Sequence, residues 1–176
     1  MRTTIALSFV SLMLLSFASA QQTKPNTDWK PLGWLIGDWT GAGSGDPGRG
    51  SGDFSFQPDL QGKVLVRKSV AEYPATADKP AQRHDDLMVI YAEGNGLRAI
   101  FFDSEGHVIR YAIDASGEGS TVTFVSDEAS AAPRFRLMYR KTGDNTLAGT
   151  FEIAPPGKPD AFAKYLEWTA KRRDKK

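Results

Sequence analysis

Two histidines, His84 and His107, each stand beside carboxylates: Asp85 and Asp86 follow the first, while Asp103 and Glu105 precede the second. Imidazole and carboxylate together are the material of a zinc site or of an acid–base pair. Either use requires the groups to converge. If Asn95-Gly96 and Glu105-Gly106 are two-residue hairpin turns, Gly94 pairs with Leu97, Ser104 pairs with His107, and Leu87 falls level with Ser104. His84, Asp103 and His107 then share one rim, but His84 lies about 10 Å beyond the level of His107 at roughly 3.3 Å per residue. This spacing predicts no shared metal. Asp85 and Asp86 are neighbours on a strand and point to opposite faces, so they make no hydrolytic pair.

Other chemistries find less to work with. The run Gly41-Ala42-Gly43-Ser44-Gly45 has neither the following Lys-Ser/Thr nor the helix of a phosphate cradle, and reads as a strand that bends or closely approaches a ligand. No serine sits in a Gly-x-Ser-x-Gly elbow. Cysteine is absent, which removes disulfides, thiolate metal sites, a cysteine nucleophile and lipidation through an N-terminal cysteine. Twenty-two Lys and Arg balance 21 Asp and Glu without forming a basic stripe, against a nucleic-acid partner. The expectation is a non-enzymatic protein with no cofactor.

The elements that position these residues begin after a targeting signal. Arg2, the apolar stretch from Ile5 to Phe17 and the small residues Ala18-Ser19-Ala20 predict a signal peptide over 1–20, cleaved before Gln21 for export to the periplasm or beyond. Interrupted by Ser8, Ser11 and Ser16, the segment is too short to span a membrane, and no later segment reaches that length. A flexible leader over 21–27, a single domain over 28–173 and a basic tail over 174–176 complete the division. The oligomeric state is not legible.

Trp29, Leu32, Leu35 and Ile36 recur at helical spacing around Pro31 and predict a short helical turn. Period two then takes over, in ten candidate strands: 38–45, 51–57, 63–73, 86–93, 97–103, 107–114, 120–126, 134–141, 147–153 and 161–171. Short turns rich in Gly, Asn and Asp join them, so neighbours must run antiparallel. Closing the meander removes its two exposed edges. The fold class expected is therefore all-β: a ten-stranded antiparallel up-and-down barrel preceded by a short helical turn. Six glycines from Gly41 to Gly52 predict a flexible first hairpin. The last segment alternatively forms a helix capped by Asp160, though a closing strand with Phe162, Leu166 and Trp168 inward is preferred.

Alternation assigns the inward face of several strands. Ile109, Tyr111 and Ile113 oppose Arg110 and Asp114, and Phe135, Leu137 and Tyr139 oppose Arg134, Arg136 and Arg140. Leu87 to Tyr91 and Ala99 to Phe102 are apolar on both faces, which leaves their parity open. Tyr91, Phe101, Tyr111, Phe124, Phe135, Tyr139, Phe151 and Trp168 are the candidate lining of a cavity for a small apolar or amphipathic molecule. On the preferred parity Lys164 joins them, and a buried ammonium calls for an acidic ligand or an internal carboxylate.

Leu35-Ile36-Gly37-Asp38-Trp39, a helical turn running into Gly-x-Trp, resembles the opening of lipocalin-like (calycin) barrels and of nitrobindin-type haem-binding barrels. Gly62 to Tyr73, His84-Asp85-Asp86-Leu87, Glu105-Gly106-His107 and Trp168 to Arg173 look like a group of uncharacterised secreted bacterial proteins. The resemblance implies that Trp39 packs over the closed end of the barrel beneath an arginine, Arg172 or Arg173, with Gly37 completing the signature. It also raises haem ligation, for which such barrels use a histidine near the C-terminus. No histidine follows His107, which leaves Met138 or Tyr139 as the conceivable substitutes.

Overall fold

The structure, a computed structural model, describes residues 29–174 apart from 118, 129 and 130. The expected signal peptide, the leader and residues 175 and 176 of the basic tail lie outside the described residues. A 3-10 turn, Lys30–Leu35, leads into ten strands: β1 (Gly37–Gly45), β2 (Gly48–Asp59), β3 (Val64–Tyr73), β4 (Gln82–Glu93), β5 (Gly96–Asp103), β6 (Val108–Gly117), β7 (Thr121–Ser126), β8 (Arg134–Gly143), β9 (Thr146–Ala154) and β10 (Ala163–Arg172). Each pairs antiparallel with the next, and β10 returns to pair with β1, so the barrel is closed and presents no edge.

Alternation produces this because one side of each strand must face a dry interior. In β7, Val122 and Phe124 are fully buried while the alternate residues Thr121 and Thr123 are only half-buried. The strands left open by the sequence resolve in the same way. Met88 and Ile90 of β4 face in, as do Ala99 and Phe101 of β5. Leu87, Val89, Tyr91, Ile100 and Phe102 therefore face out.

Three sequence expectations need correction. The β4–β5 turn is Gly94-Asn95, with Glu93 paired to Gly96, because Gly94 rather than Gly96 takes the positive φ (+58°). This slides the β4–β5 register by two residues, Leu87 lying opposite Phe102 rather than Ser104, and the β5–β6 turn holds three residues, Ser104-Glu105-Gly106, so that His107 lies opposite Asp103 rather than Ser104. The first hairpin is not loose. Its two strands pair without interruption, and a Cβ on Gly43 or Gly52 would meet a neighbouring strand's carbonyl oxygen at 2.2 or 2.1 Å, so those glycines admit close strand approach rather than a ligand.

In β10 a bulge at Tyr165 puts Lys164 opposite Glu152 but Leu166 opposite Phe151. The extra residue reverses the parity above it. Lys164 is consequently exposed and paired with Glu167 at 2.8 Å, not inward. Phe162 lies under the guanidinium of Arg136 at 4.3 Å, on the outward side of β8 rather than inside the barrel.

Candidate functional site

The barrel has two unlike ends. At the end where the 3-10 turn lies, Leu32 and Leu35 are fully buried and Trp39 is 1% exposed. Trp39 donates its indole N–H to the Leu35 carbonyl at 2.8 Å and stacks on Phe54 with ring centroids 6.1 Å apart. Arg172 covers its other side, the guanidinium carbon 4.3 Å from the ring, and donates to the carbonyls of Trp34 and Ile36. Gly37 makes this possible. Its φ is +129°, and a Cβ there would lie 2.5 Å from the Arg172 guanidinium. The Gly-x-Trp signature thus binds the turn, β1 and β10 into a plug, and of the two arginines it is Arg172 that covers Trp39; Arg173 pairs with Asp53 instead.

Above the plug the interior is filled by interlocked rings. Phe54, Phe56, Phe124, Tyr111 and Tyr139 are all buried, and Tyr139 touches Phe54, Phe56, Phe124 and Trp168 with centroids 5.5 to 6.2 Å apart. Among these rings lies a charge pair that was not anticipated. Arg67 of β3 and Asp86 of β4 form a buried ion pair, with Arg67 also 5.8 Å over Phe54. Burial opposes the Arg67 charge, but Asp86 and the Tyr139 and Tyr111 hydroxyls outweigh it and raise its pKa. Burial also raises the Asp86 pKa, Arg67 countering only in part. The Tyr139 hydroxyl is pushed up to about 12 by burial, and that of Tyr111 higher still. Arg67 Nε and Tyr139 Oη are buried without a hydrogen-bond partner among the described residues. The signal for the pair was the parity of Asp86, opposite to that of Asp85; a strand apolar on both sides of Arg67 concealed the rest.

The other end is open and polar at its rim. With the corrected register His84 stands level with Glu105, and His84 Nδ1 lies 3.1 Å from Glu105 Oε1. The second Glu105 oxygen lies 3.9 Å from His107 Nδ1. His107 Nδ1 contacts Asp103 Oδ2 at 2.8 Å, while Asp103 Oδ1 accepts the backbone N–H groups of Glu105 and His107. Burial tends to raise the Asp103 pKa, but these donors outweigh it and the carboxyl is lowered. The histidines are therefore bridged by one glutamate rather than isolated, although no group of three or more His, Cys, Asp or Glu side chains able to hold a metal occurs among the described residues. Burial raises the hydroxyl pKa values of Tyr73 and Tyr165, and Glu105 adds a smaller upward push to each.

Between rim and ring-filled interior, Phe101, Ile109, Phe135, Phe151 and Trp168 share the inward parity of their strands yet are only partly buried. Phe135 and Phe151 stack at 5.8 Å and Tyr165 meets Phe151 edge-on at 6.1 Å, forming one wall. Phe101 meets Tyr111 at 6.4 Å on the facing side. The arrangement is a shallow aromatic cup seated on a packed interior. Of the expected cavity lining, Phe101, Phe135, Phe151 and Trp168 belong to the cup and Tyr111, Phe124 and Tyr139 to the packing beneath it. Tyr91 belongs to neither: it pairs across with Val64 and Arg98 and faces out because Ile90 faces in. A concavity of about 630 Å³ lies on the outer wall as a groove lined by Asp38, Asp53, Lys68, Leu87 and Phe102 among others.

No family model matches the chain, and no curated protein matches it. Among solved structures it is similar to that of Rv2717c from M. tuberculosis, at 14% identity over 83% of this chain and 97% of that one, with a TM-score of 0.56. A de novo fluorescence-activating β-barrel is 10% identical over 80% of this chain and 94% of its own, with a TM-score of 0.42. The structure of EF1p2_mFAP2b bound to DFHBI is 9% identical over 82% of this chain and 98% of that one, with a TM-score of 0.41. The likeness to Rv2717c is one of fold. No helix among the described residues is long and apolar enough to cross a membrane.

Proposed function

We propose that this protein binds a small amphipathic molecule, without transforming it, at the open end of its barrel and outside the cytoplasm. The apolar part of the ligand lies against Phe101, Ile109, Phe135, Phe151 and Trp168, and its polar part meets the rim of Tyr73, His84, Glu105 and Tyr165. One observation carries the reading: five large apolar side chains point into the barrel yet keep solvent contact, whereas Leu32, Leu35 and Trp39 of the plug have lost it. Leaving such area wet forfeits about 25 cal/mol for each Å². A ligand recovers it. Aromatic walls with a few polar groups at the mouth are the general make-up of a small-molecule site. Export rests on the Ala18-Ser19-Ala20 signal.

The test is fluorescence titration with N-phenylnaphthylamine, a neutral dye that brightens in apolar surroundings. Saturable binding of one dye per barrel is expected, lost in Ile109→Glu and retained in Phe102→Glu on the outer wall. Absence of saturation, or loss only in Phe102→Glu, would refute the site.

A further inference from the structure

Charge at the mouth of the cup has one sign. Followed from the buried residues of each strand, the inward positions between Arg67 and the open end include no lysine or arginine among the described residues. Four strand cations of this end are instead held on the outside: Arg83 pairs with Glu72 and Asp85, Arg134 with Asp160, Arg136 with Glu152 and Lys164 with Glu167. Of the inward carboxylates, Asp86 is paired with Arg67, and Asp103 is taken up by two backbone N–H groups and His107. Glu105 is different. Its partners are His84 at 3.1 Å and His107 at 3.9 Å, and a neutral imidazole donates a hydrogen bond without cancelling the charge.

This charge stands against the aromatic wall. Tyr165 meets Phe151 edge-on, and Phe151 stacks on Phe135. Asp46, at the tip of the β1–β2 hairpin, donates its backbone N–H to the Tyr165 carbonyl at 3.0 Å, which seats a second carboxylate beside the bulge. After burial, Asp46 and Glu105 both push the Tyr165 hydroxyl pKa up. For Tyr73 the causes after burial are Tyr165 and Glu105, and its ring lies over Gly50, where a Cβ would come within 2.7 Å of it. Neither hydroxyl feels an opposing lysine or arginine, although Arg49 and Lys79 border a small recess beside Tyr73. Aromatic rings beside carboxylates attract a cation and repel an anion. We infer that the molecule held in the cup carries an amine cation, protonated or quaternary, as its polar end, seated between Tyr73 and Tyr165 and facing Glu105 and Asp46. This rests on the cup as the ligand site, since the rings of the cup take the apolar tail.

Two probes that share one tail test this: decyltrimethylammonium and decyl sulfate, each below its micellar concentration, displace N-phenylnaphthylamine from the purified protein. The titrations are run at about pH 8, above the range in which histidine ordinarily takes up a proton. The cation is expected to compete about tenfold or more better than the anion. Glu105→Gln, which keeps the shape of the side chain and removes its charge, is expected to abolish most of that preference, and Asp46→Asn to reduce it. Asp85→Asn, an outward carboxylate of the same rim, is expected to leave it in place. Circular dichroism of each variant establishes that the barrel persists. Dye displaced equally by both probes, or more readily by decyl sulfate, overturns the inference and leaves the cup standing. A preference unmoved by Glu105→Gln overturns it as well. Dye that never saturates removes the cup and the inference together, a result distinct from the other two.

Discussion

Trp39 is fixed from several directions by a hydrogen bond, a stacked phenyl ring and a guanidinium, so its removal leaves more than a hole. Trp39→Ala is expected to cost about 3 to 5 kcal/mol in chemical denaturation, as for other large buried aromatics, and a loss below about 1 kcal/mol would contradict its place in the plug. Arg67 and Asp86 follow a different logic. Asp86→Leu leaves a buried guanidinium unpaired, at a cost of about 3 to 5 kcal/mol, whereas adding Arg67→Met removes the orphan and returns much of that loss. Denaturation of the two single variants and the double variant reads the coupling; strictly additive losses would show that the pair is not a unit. Trp39 and Arg172 were legible because Gly-x-Trp sets the geometry locally. Arg67 was not: Val64, Val66 and Leu65 around it are apolar whichever face is inside, so nothing in the alternation marks it as inward.

At the scale of elements, the β5–β6 hairpin depends on Asp103, whose carboxylate accepts two backbone N–H groups and the His107 ring. Its folded pKa is lowered, so the folded state holds the proton less readily than the unfolded chain, where an aspartate titrates near about 3.9. The stability it contributes is present above that pH and disappears as pH falls through the lowered value. Asp86 has the opposite sign: its raised pKa gives stability in acid that is lost as pH rises through the folded value. Asp103→Asn should therefore cost about 1 to 3 kcal/mol at pH 7 and progressively less as the pH drops below about 4. Stability measured across pH 2 to 7 decides it, and a difference independent of pH would contradict the charge-assisted hairpin. All ten strands were legible from period two and turn residues. Registers were less so, because Gly94 and Gly96 both suit a turn and the choice between them moves His84 by two residues relative to β5. The bulge at Tyr165 left no mark in the alternation, and with it went the inward placement of Lys164.

The molecule as a whole divides into a plugged end, a filled middle and an open cup, with an apolar stretch on its outer wall. That last feature explains why β4 and β5 could not be given a parity from sequence: both of their faces are apolar, one for the core and one for the exterior. The cup was legible as a set of aromatics but not as a place, since the same residue types pack the interior beneath it. Haem is not expected to bind tightly, because His84 Nδ1 is engaged by Glu105 and His107 is exposed at the rim. A haemin titration should give no sharp stoichiometric Soret band, and one abolished by His107→Ala would contradict this placement. The central claim, a ligand site in the cup, is tested most directly by NMR of the protein titrated with N-phenylnaphthylamine, following the Trp168 indole N–H and the Ile109 methyl groups. Those signals are predicted to shift saturably at one equivalent while the methyls of Leu35, Leu65 and Val122 stay still. Shifts confined to Leu87 and its neighbours on the outer wall, or none at all, would contradict the account.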